Sequence, residues 1–314
     1  MKRHILFTMF VGLLLWSCGG NQSADPTPTD PVEDVLGCTD PQATNYNKDA
    51  NVADCSCEYS MTSDASQSPA EFTKKVVLEE FTGTWCGWCT DGAWILHKLI
   101  EENNGQVIGA GIHQGDAMEI GPLFNFLDKL LNVTGFPSGA VNRSNGAIFR
   151  GEWASKVQSE LSKSASAGVA IDTEIDGDKL NILVTTSTLN KLLGTHDLTV
   201  YLSENGVIAS QRNYCTGDNP GCQDDNPANA LPDPITDYEH EHVIREVLTS
   251  VEGDELPTCA TEAGGTFRKM FTVDISGYEP ANLEVIAILA KSSSIVNANK
   301  VVAGESVDFM DKDQ

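Results

Sequence analysis

Basic residues are scarce in this chain. Twenty lysines and arginines stand against 45 aspartates and glutamates, for a formal net charge of −25. A surface so acidic repels phosphate backbones and anionic headgroups, which excludes nucleic-acid binding and leaves a solvated, soluble surface as the expectation. Long apolar runs are also missing. The one sustained run, Ile5–Trp16, is too short to span a bilayer as a stable helix, and no other stretch could. Zinc-finger spacing is absent, because no second ligand pair lies at finger distance from Cys86 and Cys89. Neither a metal site nor a cofactor is expected.

Cysteine, by contrast, is plentiful. Nine cysteines point to an oxidising compartment. Residues 1–18 read as a signal peptide: Lys2-Arg3 is a basic start, and Leu15-Trp16-Ser17-Cys18 resembles a bacterial lipobox. That resemblance implies lipid on Cys18 as the mature N-terminus. Residues 19–36, rich in Pro, Asp, Thr and Ser, read as a tether with little to bury. Residues 37–59 form a small module, too short for a core, that needs a staple. Its Asp40, Asn45, Asn47, Asp49, Asn51 and Asp54 favour turns closed by Asx side chains over a calcium loop, since EF-hand spacing and a terminal Glu are missing. Cys38, Cys55, Cys57, Cys215, Cys222 and Cys259 remain as structural disulfide candidates. Cys215 and Cys222 could close a small loop, leaving Cys259 for Cys55, for another partner, or free.

The densest signal is Val76–Cys89. Val76, Val77, Leu78 and Phe81 form a short apolar strand, and Gly83 breaks it. Trp94, Leu96, Leu99 and Ile100 recur at helical spacing until Asn103-Asn104-Gly105. Cys86 therefore lies at or near a helix N-terminus, where unpaired N–H groups and the helix dipole favour a thiolate. Cys89, three residues on, can close a disulfide with it. Trp85 and Trp88 would form an apolar rim.

This stretch resembles the thioredoxin superfamily. Glu80-Phe81 stands where those proteins place a buried acid, six residues ahead of the first cysteine. Val133-Thr134-Gly135-Phe136-Pro137-Ser138 resembles their cis-proline turn. The resemblance implies that Cys86 attacks, Cys89 resolves, Glu80 carries the Cys89 proton, and Phe136-Pro137 receives an extended substrate. Residues 61–166 are expected in the order β-α-β-α-β-β-α, an α/β thioredoxin-like domain.

From residue 168 to 314 the pattern changes to strands, and an antiparallel β-sandwich domain is expected. Asp176-Gly177-Asp178 and Asn205-Gly206 read as hairpin turns. In Tyr238-Glu239-His240-Glu241-His242, an extended chain would put both histidines on one face, but no third metal ligand is evident. The Gly37–Tyr59 stretch resembles a cysteine module of exported Bacteroidetes proteins, in which Cys38 and Cys57 match, while Cys55 stands where glycine is usual. Val77–Gly92, Pro137 and Tyr238–Arg245 together resemble the Omp-type twenty-eight-kilodalton outer-membrane lipoprotein family of Bacteroidetes, with departures at Thr90 and Glu241. That family implies residence in the outer membrane on a lipid anchor.

The residues favour a lipid-anchored thiol–disulfide oxidoreductase with protein thiols or disulfides as partners. The alternative is a surface scaffold or adhesin in which Cys86–Cys89 is a permanent staple.

Overall fold

The computed structural model describes residues 33–61, 69–217, 219–291 and 294–309. Cys18 and the expected leader lie outside them, as does most of the expected tether. In the cysteine module, β1 (Leu36–Gly37) pairs with β2 (Val52–Ala53). Asp40, Asn47 and Asp54 each accept, through Oδ1, from the backbone N–H two residues on, at 2.9, 3.1 and 3.0 Å. These are the expected Asx turns.

The next elements follow in the expected order: β3 (Val76–Thr82), α1 (Cys89–Glu102), β4 (Val107–His113), α2 (Gly121–Leu131), β5 (Ser138–Val141), β6 (Ile148–Phe149) and α3 (Trp153–Leu161). Helix α1 ends at Asn103, with Asn104 and Gly105 in the left-handed region. After them come β7 (Ala167–Asp176), β8 (Lys179–Thr188), β9 (Asp197–Glu204), β10 (Val207–Gln211), β11 (Ile235–His240), β12 (Val243–Val247), β13 (Asp254–Glu255), α4 (Thr258–Thr261), β14 (Thr266–Asp274), β15 (Leu283–Lys291), β16 (Ser294–Val302) and β17 (Ser306–Val307).

Two sheets organise the chain. A nine-stranded mixed sheet runs β16-β15-β9-β12-β4-β3-β5-β6, with β13 also on β9. An antiparallel sheet runs β14-β8-β7-β17. The boundary expected near residue 167 does not divide the larger sheet, because β12 pairs in parallel with β4 and antiparallel with β9. Strand β15 shows why the halves fuse. Leu283, Val285, Ala287 and Leu289 pack with Ile171, Ile182 and Val184 of the antiparallel sheet. Ile286, Ile288 and Ala290, pointing the other way, pack with Val77, Phe81, Leu123 and Leu127. With a side-chain period of two, one strand serves both cores and is apolar at every position from Val285 to Ala290. Each fully buried isoleucine contributes about 1.5–3 kcal/mol of apolar transfer.

A buried ion pair crosses the same seam. Arg143 donates to Glu79 at 2.8 and 2.6 Å and to the Tyr201 hydroxyl at 3.0 Å. Asp176-Gly177-Asp178 turns β7 into β8 as expected. Asn205-Gly206 does not make the expected hairpin. Both edges of β9 are taken by β15 and β12, so β10 leaves the sheet and pairs with β11. Among the described residues, no helix is long and apolar enough to cross a membrane.

Candidate functional site

The chain leaves β3 at Thr82 and turns into α1. Cys86 N donates to Gly83 O at 3.0 Å, and Cys89 N donates to Cys86 O at 3.1 Å. This turn brings the sulfurs of Cys86 and Cys89 to 2.05 Å, with their Cα atoms 5.4 Å apart. Cys89 is the first residue of α1. Both cysteines are buried, at 4% and 3% exposure.

Glu80 lies on β3, buried at 3% exposure, and its Oε1 has no hydrogen-bond partner. Burial pushes its carboxyl up to about 8. Gly92 lets three elements meet here. A Cβ on it would stand 2.5 Å from Glu80 Oε1 and 2.8 Å from Pro137 Cβ. The Phe136–Pro137 peptide bond is cis. The expected residues Cys89, Glu80 and Pro137 thus gather around the first turn of α1.

The expected rim divides. Trp85 is half exposed, donates from Nε1 to Gln114 O at 2.7 Å, and sets its ring edge-on to Phe136 at 5.1 Å. Trp88 turns to Tyr214 instead, at 5.7 Å. Asp116 pins the loop entering Cys86: its Oδ2 accepts from Thr84 N and sits against His113 Nδ1, both at 2.8 Å. Burial opposes the Asp116 charge, but the bonds from His113, Thr84 and Met118 hold its carboxyl below the usual carboxylate range.

A strap over the cysteine turn went unseen in the sequence. It is the loop that joins β10 to β11. Arg212 N donates to Thr84 O and Tyr214 N to Gly87 O, both at 2.8 Å. Gln211 Nε2 donates to Cys86 O at 2.8 Å. The Tyr214 ring leaves no room at Gly87, where a Cβ would fall 2.4 Å from it. Asp91 of α1 accepts from Arg150 Nε at 2.6 Å and from Gln223 N at 2.7 Å. Arg150 Nη2 donates to Gly221 O at 2.7 Å. Thr90, a departure from the family pattern, places its hydroxyl 3.2 Å from Asn213 Oδ1. No local signal marks these contacts, because each joins residues far apart in the chain.

Four disulfides pair the eight described cysteines: Cys38–Cys57, Cys55–Cys259, Cys86–Cys89 and Cys215–Cys222. The last one staples the strap. The two histidines of the Glu-His-Glu-His stretch do not share a face. Strand β11 ends at His240, and His242 adopts a left-handed φ of 58°. His240 meets His113 at 5.3 Å, and burial lowers its imidazole to about 4. His242 lies 3.8 Å from Glu284. Among the described residues, three potential metal ligands converge at Asp91, Cys215 and Cys222, whose sulfurs are bonded to each other.

With this geometry in place, comparison with known proteins adds the following. The pattern of a family described as outer membrane protein Omp28 matches residues 125–307, a span that includes Pro137 and the strap but not Cys86 or Cys89. The chain is similar to HBP35 of Porphyromonas gingivalis, with 27% identity and a TM-score of 0.59, over 74% of this chain and 76% of that one. A protein of Agrobacterium tumefaciens aligns at 16% identity and a TM-score of 0.45, over 74% of this chain and 96% of that one. No curated protein matches.

Proposed function

The chain belongs to the Omp28 family of outer membrane proteins, and from that premise we propose that it is an envelope thiol–disulfide oxidoreductase held to the membrane by lipid on Cys18. In this reading residues 61–166 are a thioredoxin-like domain, and the β7–β17 region is a sandwich built onto its sheet. The observation that carries the proposal is the unpartnered, buried Glu80 at the first turn of α1, beside Cys89 and the cis Phe136–Pro137 bond. A structural staple has no use for a buried acid with a raised affinity for its proton.

In the reducing direction, the Cys86 thiolate attacks one sulfur of a substrate disulfide. A mixed disulfide forms and the other substrate sulfur leaves as a thiolate. The ionised form of Glu80, a minor fraction at neutral pH, takes the Cys89 proton. The Cys89 thiolate then attacks Cys86, which releases the second substrate thiol and forms Cys86–Cys89. The oxidising direction is the reverse. Trp85 and Phe136 offer an apolar edge beside the site.

One observation favours the scaffold reading. Both sulfurs are buried, and the strap hydrogen-bonds to the turn that carries them. Substrate entry therefore requires the Gln211–Tyr214 segment to move. The reduction potential of Cys86–Cys89 separates the two readings. A value above about −230 mV marks a labile working pair, and Cys89→Ser should then trap mixed disulfides through Cys86. A value below about −300 mV marks a bond that resists the glutathione pool, which would sink the oxidant and isomerase forms of the proposal.

A further inference from the structure

A cavity of about 290 Å³ opens behind Glu80, between α1, the turn at Asn226–Ala228 and the β11–β12 crossing. Glu80 forms part of its lining, with Trp94, Leu96 and Tyr238 among its walls and the exposed Glu239 and Glu241 at its rim. Among the described residues, no lysine or arginine lines it. We propose that this cavity binds a small organic cation, a guanidinium or primary ammonium group, with Glu80 as its counter-ion.

A buried carboxylate without a partner is costly, and this one escapes the cost by keeping its proton. A cation seated against the part of the carboxyl that lines the cavity supplies the missing counter-charge, and the proton leaves to solvent in exchange. Charge-assisted bonds of this kind are the strong ones. The rim adds two more carboxylates, so the field at the mouth draws cations in. Trp94 and Tyr238 give the cavity ring surface, and rings attract cations. The volume sits at the small end of ligand cavities, about 300 Å³, which suits one compact group. None of this depends on thiol exchange, and the site is complete in the oxidised chain.

The probe is ethylguanidinium chloride, titrated calorimetrically into the chain with its disulfides intact, in two buffers of different ionisation heat. Saturable binding is expected with release of close to one proton per site near neutral pH, and with affinity that climbs as pH approaches about 8. Tyr238, Glu239, Glu241 and His242 face the cavity from the β11–β12 side and His97 from α1, so protonation of the histidines would give a trend of the same sign. Glu80→Gln separates these causes. It should weaken binding by about tenfold or more, the equivalent of 1.4 kcal/mol, and abolish proton release. The double variant Glu239→Gln, Glu241→Gln should weaken binding severalfold and keep proton release. The Glu80 side-chain carboxyl ¹³C shift in the wild type gives a test that needs no variant: it should move from the protonated to the ionised value as the probe is added. Tighter binding of an arginine-centred tripeptide would identify the cation as a protein side chain, and equal or weaker binding would identify a free small molecule. Absence of saturable binding, an unmoved carboxyl shift, or undiminished binding by Glu80→Gln would overturn the proposal.

Discussion

Replacing Glu80 with Gln should change the pH dependence of stability in a way that no surface substitution can. The Glu80 carboxyl stands at about 8 in the folded chain, against 4.5 for an unperturbed glutamate. Between those values the native chain holds a proton that the unfolded chain has lost. Stability therefore falls as pH rises from the lower value towards the upper, and levels beyond it. Each pH unit in that window costs about 1.4 kcal/mol, so the interval from about pH 5 to about pH 7 removes roughly 3 kcal/mol through this one group. Glutamine matches the neutral acid in shape and cannot titrate. Its unpartnered amide adds an offset that does not vary with pH, so the slope is the informative quantity. Urea unfolding of both proteins, followed by tryptophan fluorescence with disulfides intact, gives the free energies across the range. The advantage of Glu80→Gln over wild type should grow by roughly 3 kcal/mol over those two pH units. Parallel stability curves for the two proteins would refute the reasoning, and with it the claim that Glu80 is neutral when folded.

Three further outcomes follow from the geometry. Gly92→Ala puts a Cβ 2.5 Å from Glu80 Oε1 and 2.8 Å from Pro137 Cβ; it should destabilise by about 1–3 kcal/mol, read as a lower melting temperature. Asp91→Asn leaves the buried Arg150 without its counter-charge and sets an amide N–H against one of its two donors, Arg150 Nε or Gln223 N; the expected loss is about 3–5 kcal/mol, with faster reduction of Cys86–Cys89 by dithiothreitol as the strap loosens. Tyr214→Ala should speed the same reduction with a smaller loss of stability, and an unchanged rate would mean that the strap does not shield the sulfurs.

The legible parts of this chain are those whose cause lies within a few residues. Val76, Val77, Leu78 and Phe81 are apolar because β3 is buried on both sides, and the sequence shows them directly. Asn104 and Gly105 end α1 by adopting left-handed backbone, which their side chains permit. The Asx turns of the cysteine module and the Gly177 hairpin belong to the same class. The misjudged Asn205-Gly206 turn shows the limit. An Asn-Gly pair permits a hairpin, but pairing depends on which edges are free, and β15 and β12 had taken both edges of β9. The Glu-His-Glu-His stretch meets the same limit. Its two histidines would share a face only if the chain stayed extended, and the left-handed residue at His242 turns the chain there.

The sequence alone determined the chemistry available to this protein: an oxidised chain, an acidic surface, a cysteine pair opening a helix, and Glu80 and Pro137 as its companions. These are properties of residue types and short spacings. Tertiary structure alone decided what surrounds that pair. It joined the two halves in one sheet through β12, paired Cys55 with Cys259, drew the β10–β11 loop across Cys86, and left Glu80 facing a cavity that, among the described residues, no lysine or arginine lines. Each of these is a contact between segments distant in the chain. Such contacts are selected by which buried surfaces and hydrogen-bonding edges fit one another once the local elements have formed.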